Sequence, residues 1–170
     1  LAASVVVLWT GQRGRIVTAA VLLLGYWAVM TLVPVPGGAA GVLEPGQDLG
    51  AYVDRVVFGT DHLWASSRTW DPEGLLSTLP AVGTVILGVL AGEWLRSRRP
   101  SGEIVRGLVA AGAVGVALGL LWGALFPINK ALWTSSFVVL TAGLGARRLA
   151  LCYLRVDVKG FRKLAFAIVV

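Results

Sequence analysis

Ile104-Val-Arg-Gly-Leu-Val-Ala-Ala-Gly-Ala-Val-Gly-Val-Ala-Leu-Gly-Leu-Leu-Trp-Gly-Ala-Leu-Phe126 runs for 23 residues with one charge, Arg106. As a helix it reaches about 34 Å, enough to cross a hydrocarbon core of roughly 30 Å. The stretches 16–33, 75–95 and 130–146 read the same way. Polar breaks separate them: Pro34-Val-Pro36-Gly37-Gly38, then Arg96 to Gly102, then Pro127-Ile-Asn129-Lys130. Pro and Gly end helices, because Pro lacks the N–H and Gly is too free.

The composition agrees. Of 170 residues, 56% are hydrophobic and 14% charged, and the mean hydropathy is +0.79. Soluble domains carry about 25% charged residues, so this chain has too few to cover a water-facing surface. Disorder needs low hydrophobicity and is excluded. One cysteine, Cys152, excludes a disulfide scaffold. The expected fold is all-α: a polytopic transmembrane helical bundle over 1–170. Residues 1–9 and 164–170 read as two further spans cut short, so the chain is expected to be a piece of a longer protein.

Charge placement gives the orientation. The formal net charge is +6. With Arg13 and Arg15 cytoplasmic, alternation puts Arg96, Arg98, Arg99, Arg106, Arg147, Arg148, Arg155, Lys159, Arg162 and Lys163 there too. That is twelve of fifteen basic residues, as the positive-inside rule requires. Only Arg55, Arg68 and Lys130 fall outside. Membrane topology thus accounts for the charge, and no nucleic-acid partner is required.

Residues 34–73 form the outer segment. It holds six of the nine acids (Glu44, Asp48, Asp54, Asp61, Asp71, Glu73), the single histidine His62, and Tyr52, Phe58, Trp64 and Trp70. So many aromatics predict an ordered segment, with a short interfacial helix over Ala51 to Phe58. Asp71-Pro72 reads as the cap and first position of the next span. Gly115, Gly119 and Gly123 share one face of span 104–126, and Gly88 and Gly92 share one of span 75–95. Such spacing lets helices approach closely in lipid, chiefly as packing.

Candidate chemistry concentrates on the outer side. Asp61 beside His62 suits an acid/base pair, since a carboxylate orients an imidazole; the plainer role for a lone histidine is a turn or headgroup anchor. Carboxylates with tryptophans suit a sugar. Lys130 either pairs with a loop carboxylate or a substrate group, or anchors at the interface. On the inner side Arg96, Arg98 and Arg99 suit the phosphates of a nucleotide-like donor, although topology alone explains them. Glu93 is placed to pair with Arg96 three residues on. No metal-ligand spacing, P-loop or Gly-x-Ser-x-Gly is present.

Leu32-Val-Pro-Val-Pro-Gly37, Ala51-Tyr-Val-Asp-Arg55 and Gly59-Thr-Asp-His-Leu63 occur in order, followed by Trp70-Asp-Pro-Glu-Gly-Leu75 and Gly88-Val-Leu-Ala-Gly92. Pro127-Ile-Asn-Lys-Ala-Leu-Trp133 and Val156-Asp-Val-Lys-Gly160 complete the series. In this order the chain resembles the heparan-alpha-glucosaminide N-acetyltransferase family, including bacterial members. The resemblance implies a polytopic membrane acetyltransferase that moves acetyl from cytosolic acetyl-CoA to an amino sugar across the membrane, with no metal. It places the family's histidine, near His-Ala-x-Trp-x-Gly, in an earlier segment absent here, so the chain alone is expected to be inactive. Arg147-Arg148 stand where relatives are apolar, so the span before them is expected to end at Ala146. The outer segment is shorter than the animal enzyme's, which implies a smaller bacterial sugar.

The expected acceptor-side residues are Asp54, Arg55, His62, Asp71, Glu73, Asn129 and Lys130, with His62 a minor catalytic candidate. Arg96, Arg98 and Arg99 are expected to face acetyl-CoA. The expected partners are membrane lipids, acetyl-CoA and the sugar acceptor, with a homo-oligomer left open. The expected location is a bacterial inner or plasma membrane. Alternatives are a non-enzymatic sugar or glycolipid carrier or export module, and a structural membrane subunit.

Overall fold

A computed structural model describes residues 2–67 and 69–161. Leu1, Arg68, Arg162, Lys163 and the expected final span 164–170 lie outside them. The described residues are helical, without strands. The helices are α1 (Ala2–Trp9), α2 (Gln12–Leu32), α3 (Leu49–Phe58), α4 (Thr78–Leu95), α5 (Ser101–Gly123) and α6 (Ser135–Tyr153). A three-residue turn of helix follows α3 at Thr60–His62, and a wide turn, Leu154–Val158, continues α6. Four helices are long and apolar enough to cross a membrane: Gln12–Leu32, Thr78–Leu95, Ser101–Gly123 and Ser135–Val158.

Several expected boundaries shift: α2 begins at Gln12, α3 at Leu49 and α6 at Ser135, and α5 runs from Ser101 to Gly123. The last span does not end at Ala146; it runs through Arg147 and Arg148 to Tyr153. Both arginines are exposed, and Arg147 lies level with Gly112 in the middle of α5, so their long side chains reach outward from an unbroken helix. The run into α4 begins at Thr78, not at Asp71. The Asp71 carboxylate accepts the Glu73 N–H at 2.8 Å and so closes a turn instead of capping a helix.

Long-range bonds fix which helix ends lie together. At one end Tyr26 donates to the Leu132 carbonyl and Ser135 to that of Leu23, both at 2.6 Å, and the Trp133 indole donates to Thr84 Oγ1 at 3.1 Å. At the other end Arg15 pairs with Glu93, and the Trp94 indole donates to the Ile104 carbonyl at 3.2 Å. Glu93 therefore pairs across helices and not with Arg96. The 18 residues of α4 hold the two ends about 27 Å apart. The outer segment and Arg96 to Arg99 occupy opposite ends.

The tightest seam joins α5 to α6. A Cβ at Gly115 would meet Gly143 Cα at 2.9 Å, and one at Gly119 would meet Leu140 N at 2.6 Å. Gly123 instead faces the Ile128 side chain. Gly88 and Gly92 have nothing within 4 Å, so the expected small-residue contact of α4 is not made. The close contacts of α4 lie elsewhere, at Gly83 against Leu23 of α2 and at Trp94 against Gly107 of α5.

Candidate functional site

The outer segment is built around α3. Asp48 starts the helix, its carboxylate accepting the Ala51 N–H at 3.0 Å. Gly59 stops it with φ 73°, a left-handed conformation that costs glycine little. Leu49 packs into a core with Tyr26, Met30 and Phe126, so α3 lies across one end of the bundle.

Asp54 sits on the buried face of α3 and is 1% exposed. Its Oδ1 accepts the Leu75 N–H at 2.8 Å, which ties α3 to the run into α4. Gly74 is forced by this contact, because a Cβ there would collide with the carboxylate. Burial pushes the Asp54 carboxyl above its ordinary range, and the nearby Asp71 and Asp48 add to the rise. The Leu75 N–H and Arg55 act the other way without cancelling it. The result is a carboxyl that holds its proton more readily than an exposed one.

The other expected residues fall into separate roles. Arg55 donates to the Gly46 carbonyl at 2.8 Å and to that of Thr69 at 2.5 Å, so its guanidinium staples the outer segment. His62 is exposed, with Nδ1 2.9 Å from the Phe58 carbonyl. A carbonyl can only accept, so Nδ1 is the donor in this contact. Asp61 makes no bond to that ring, and the expected acid/base pair does not form. Asp71 is half-buried in its turn and Glu73 is exposed. Trp64 and Trp70 meet edge to face, ring centres 5.6 Å apart.

Asn129 and Lys130 belong to the loop between α5 and α6. Asn129 Oδ1 accepts the N–H groups of Ala131 and Leu132, at 2.8 and 3.3 Å. Asn129 thus shapes the loop, and Lys130 extends from it into solvent without an ion pair among the described residues. Three buried hydroxyls complete the fold of this loop. Thr134 donates to the Pro127 carbonyl at 2.9 Å, Ser136 to that of Phe126 at 2.6 Å, and Ser135 to Leu23 of α2. Trp133 is held at φ 51°, in the left-handed region. Such strain costs of order 1–3 kcal/mol; the Thr84 bond and an edge contact with Phe137 at 5.5 Å hold it.

Tyr26 links the two loops: its ring packs under α3 and its hydroxyl bonds Leu132. The structure thus gathers Asp54, Asp71, Asn129 and Lys130 at one end, with His62 on the outer surface of the segment. Sequence reasoning missed Tyr26, Asp48 as a cap, Trp133, and Thr134-Ser-Ser136. The last had a signal, since three successive hydroxyls at the head of an apolar helix need partners when buried.

At the opposite end Arg96, Arg98 and Arg99 are all exposed. Arg99 stacks 4.5 Å from the Trp94 ring centre and pairs with Glu103 at 3.5 Å. Arg96 and Arg98 make no ion pair among the described residues. No cluster of three His, Cys, Asp or Glu residues suited to a metal occurs among the described residues. An open groove of about 660 Å³ runs along the bundle between α2, α4, α5 and α6, and none of the outer carboxylates borders it.

No known family profile matches the chain. It is 32% identical over 170 aligned residues to heparan-alpha-glucosaminide N-acetyltransferase of Homo sapiens, covering 82% of this chain and 25% of that protein. The Mus musculus protein of the same name is 31% identical over 163 residues, covering 79% and 25%. The chain therefore spans about a quarter of the length of these curated relatives. An alignment that runs through four-fifths of an all-helical, membrane-spanning chain places that stretch in the heparan-alpha-glucosaminide N-acetyltransferase family.

Proposed function

We propose that this chain is part of an integral-membrane acetyltransferase. It takes an acetyl group from acetyl-CoA at the arginine end and delivers it to an amino sugar at the carboxylate end, in a bacterial inner or plasma membrane. The observation that carries this is the kinship with two N-acetyltransferases across four-fifths of the chain. The separation of charge supports it: exposed guanidiniums suit CoA phosphates, and the opposite end offers Asp71, Glu73 and Lys130 to a sugar, on turns held by Asp54 and Asn129.

Summed over the transfer, one thioester C–S bond breaks at the arginine end and one N–C bond forms on the amine at the carboxylate end. CoA leaves as the thiol, carrying the proton the amine gives up. Asp54 is too enclosed to meet a sugar directly, so its part is to position the 70–75 turn, where Asp71 and Glu73 stand. Arg55 likewise acts through the loop carbonyls it holds.

Labelled acetyl-CoA supplied to one side of proteoliposomes holding the whole acetyltransferase of which this chain is part, with amino sugars on the other, tests this. Labelled sugar recovered opposite the CoA is the expected result. CoA consumed with no labelled sugar, or no transfer at all, overturns the proposal and leaves the carrier or structural alternative. His62→Ala should leave transfer within about twofold of the parent, because loss of a true acid/base group costs on the order of a hundredfold or more.

A further inference from the structure

Arg147 and Arg148 sit inside a spanning helix and take no part in the chemistry proposed above. They border a groove between α5 and α6 that is otherwise apolar, with Val105 and Val109 on one wall and Leu151 on the other. A Cβ at Gly112 would meet Arg147 Cγ at 2.5 Å and its main-chain N at 3.1 Å. Glycine at 112 therefore makes room for the arginine stem against the α5 main chain. Gly112 is 11 residues, about 16 Å, from each end of α5. Arg147 thus leaves the helix pair near the mid-depth of a hydrocarbon core of roughly 30 Å, away from both headgroup layers.

Both guanidiniums are exposed and make no ion pair among the described residues. A bare guanidinium facing hydrocarbon is costly, and arginines at such depth pair inside the protein. The nine acids of the chain do not serve. Six lie in the outer segment, Glu93 pairs with Arg15, and Glu103 pairs with Arg99. The ninth, Asp157, is ten residues beyond Arg147 and past the end of α6. A second copy does not serve either. The only acids in its spanning helices α2, α4, α5 and α6 are Glu93 and Glu103, each taken in the same way. In the curated relatives about three-quarters of the length lies outside the matched stretch, which leaves room for further helices.

We infer that the Arg147–Arg148 face is covered, in the whole protein, by a further membrane-spanning helix of the same polypeptide that sets an Asp or Glu carboxylate against these guanidiniums. This rests on the chain being part of a longer membrane protein and not on acetyl transfer, so its test reads no activity.

The whole protein carrying photoreactive benzoylphenylalanine in place of Arg148, irradiated in the membrane and digested, tests the inference. The expected adduct migrates as a monomer and joins α6 to an apolar segment that holds an Asp or Glu. Arg147→Leu should then lower the Tm of the whole protein by several degrees, because it leaves that carboxylate buried and unpaired. Neutralising the cross-linked acid in the same molecule should return at least half of the loss. An adduct with phospholipid alone, with a second copy or with a segment lacking an acid would overturn the inference, as would the absence of any protein adduct. A second substitution that deepens the loss would overturn it too. The cross-link decides the matter even where Arg147→Leu does not fold, since Arg147 is intact in it.

Discussion

Gly143→Ala should separate α5 from α6, and the structure says by how much. A Cβ at Gly143 would stand 2.6 Å from Val116 N, 2.8 Å from the Gly112 carbonyl oxygen and 2.8 Å from Gly115 C. All three are main-chain atoms within a helix, so no side chain can swing aside. Ordinary contact begins at 3.4 Å, and the helices must part by about 1 Å. That loosens the seam on both sides, at Gly119 against Leu140 and at Gly112 against Arg147. Overpacking of this kind costs about 1–3 kcal/mol. For a chain of this size, 2 kcal/mol corresponds to a Tm lower by about 4–8 °C. Gly145, two residues on, has nothing within 4 Å. There the same substitution gains roughly 1 kcal/mol of helix propensity and should leave Tm unchanged or raise it. Thermal unfolding of both variants in mild detergent makes the comparison. Equal Tm values would refute the claim that α5 and α6 meet backbone to backbone.

Asp54→Asn should flatten the dependence of stability on pH. Folding lifts the Asp54 carboxyl above its ordinary value of 3.8, so the native state holds the proton more tightly than the unfolded chain. That stabilisation is complete below about pH 4 and is lost as pH climbs through the raised value. The parent should lose stability over that climb. The asparagine variant, whose amide oxygen can still accept the Leu75 N–H, should lack this component; parallel Tm curves for the two would show the carboxyl to be unperturbed. Gly74→Ala drives a methyl into the Asp54 carboxylate and should cost about 1–3 kcal/mol. Its effect is local: amide exchange at Leu75 should quicken while the α5–α6 seam keeps its protection, and unchanged exchange at Leu75 would count against the Asp54 tie.

The spans were legible because bilayer thickness acts on every residue of a helix at once, so a run such as Ile104 to Phe126 needs no partner to be recognised. The α3 helix was legible for a similar reason, as a short local pattern, though its reading began at Ala51 and missed Leu49, Gly50 and the Asp48 cap. What stayed hidden depends on pairs far apart in the chain. Tyr26 and Leu132 are 106 residues apart, Ser135 and Leu23 are 112, and no periodicity links them. The same limit explains Glu93, whose nearest basic neighbour in sequence was Arg96 but whose partner in space is Arg15.

Local motifs misled where two folds satisfy the same groups. Asp-Pro can cap a helix, yet the Asp71 carboxylate is equally satisfied two residues on by Glu73 N–H, and α4 begins only after Gly74 and Leu75 have met Asp54. Small-residue spacing marked α5 correctly, but it marked Gly88 and Gly92 just as strongly, and those face open space. Spacing says that a helix can be approached closely; only the neighbouring backbone decides whether it is. The candidate site obeys the same logic. Asp54, Arg55 and Asn129 carry the residue types that suit a sugar, and the structure shows each of them bonded to main chain. Their chemistry therefore reaches an acceptor through the turns they hold, which leaves Asp71, Glu73 and Lys130 as the side chains free to touch it.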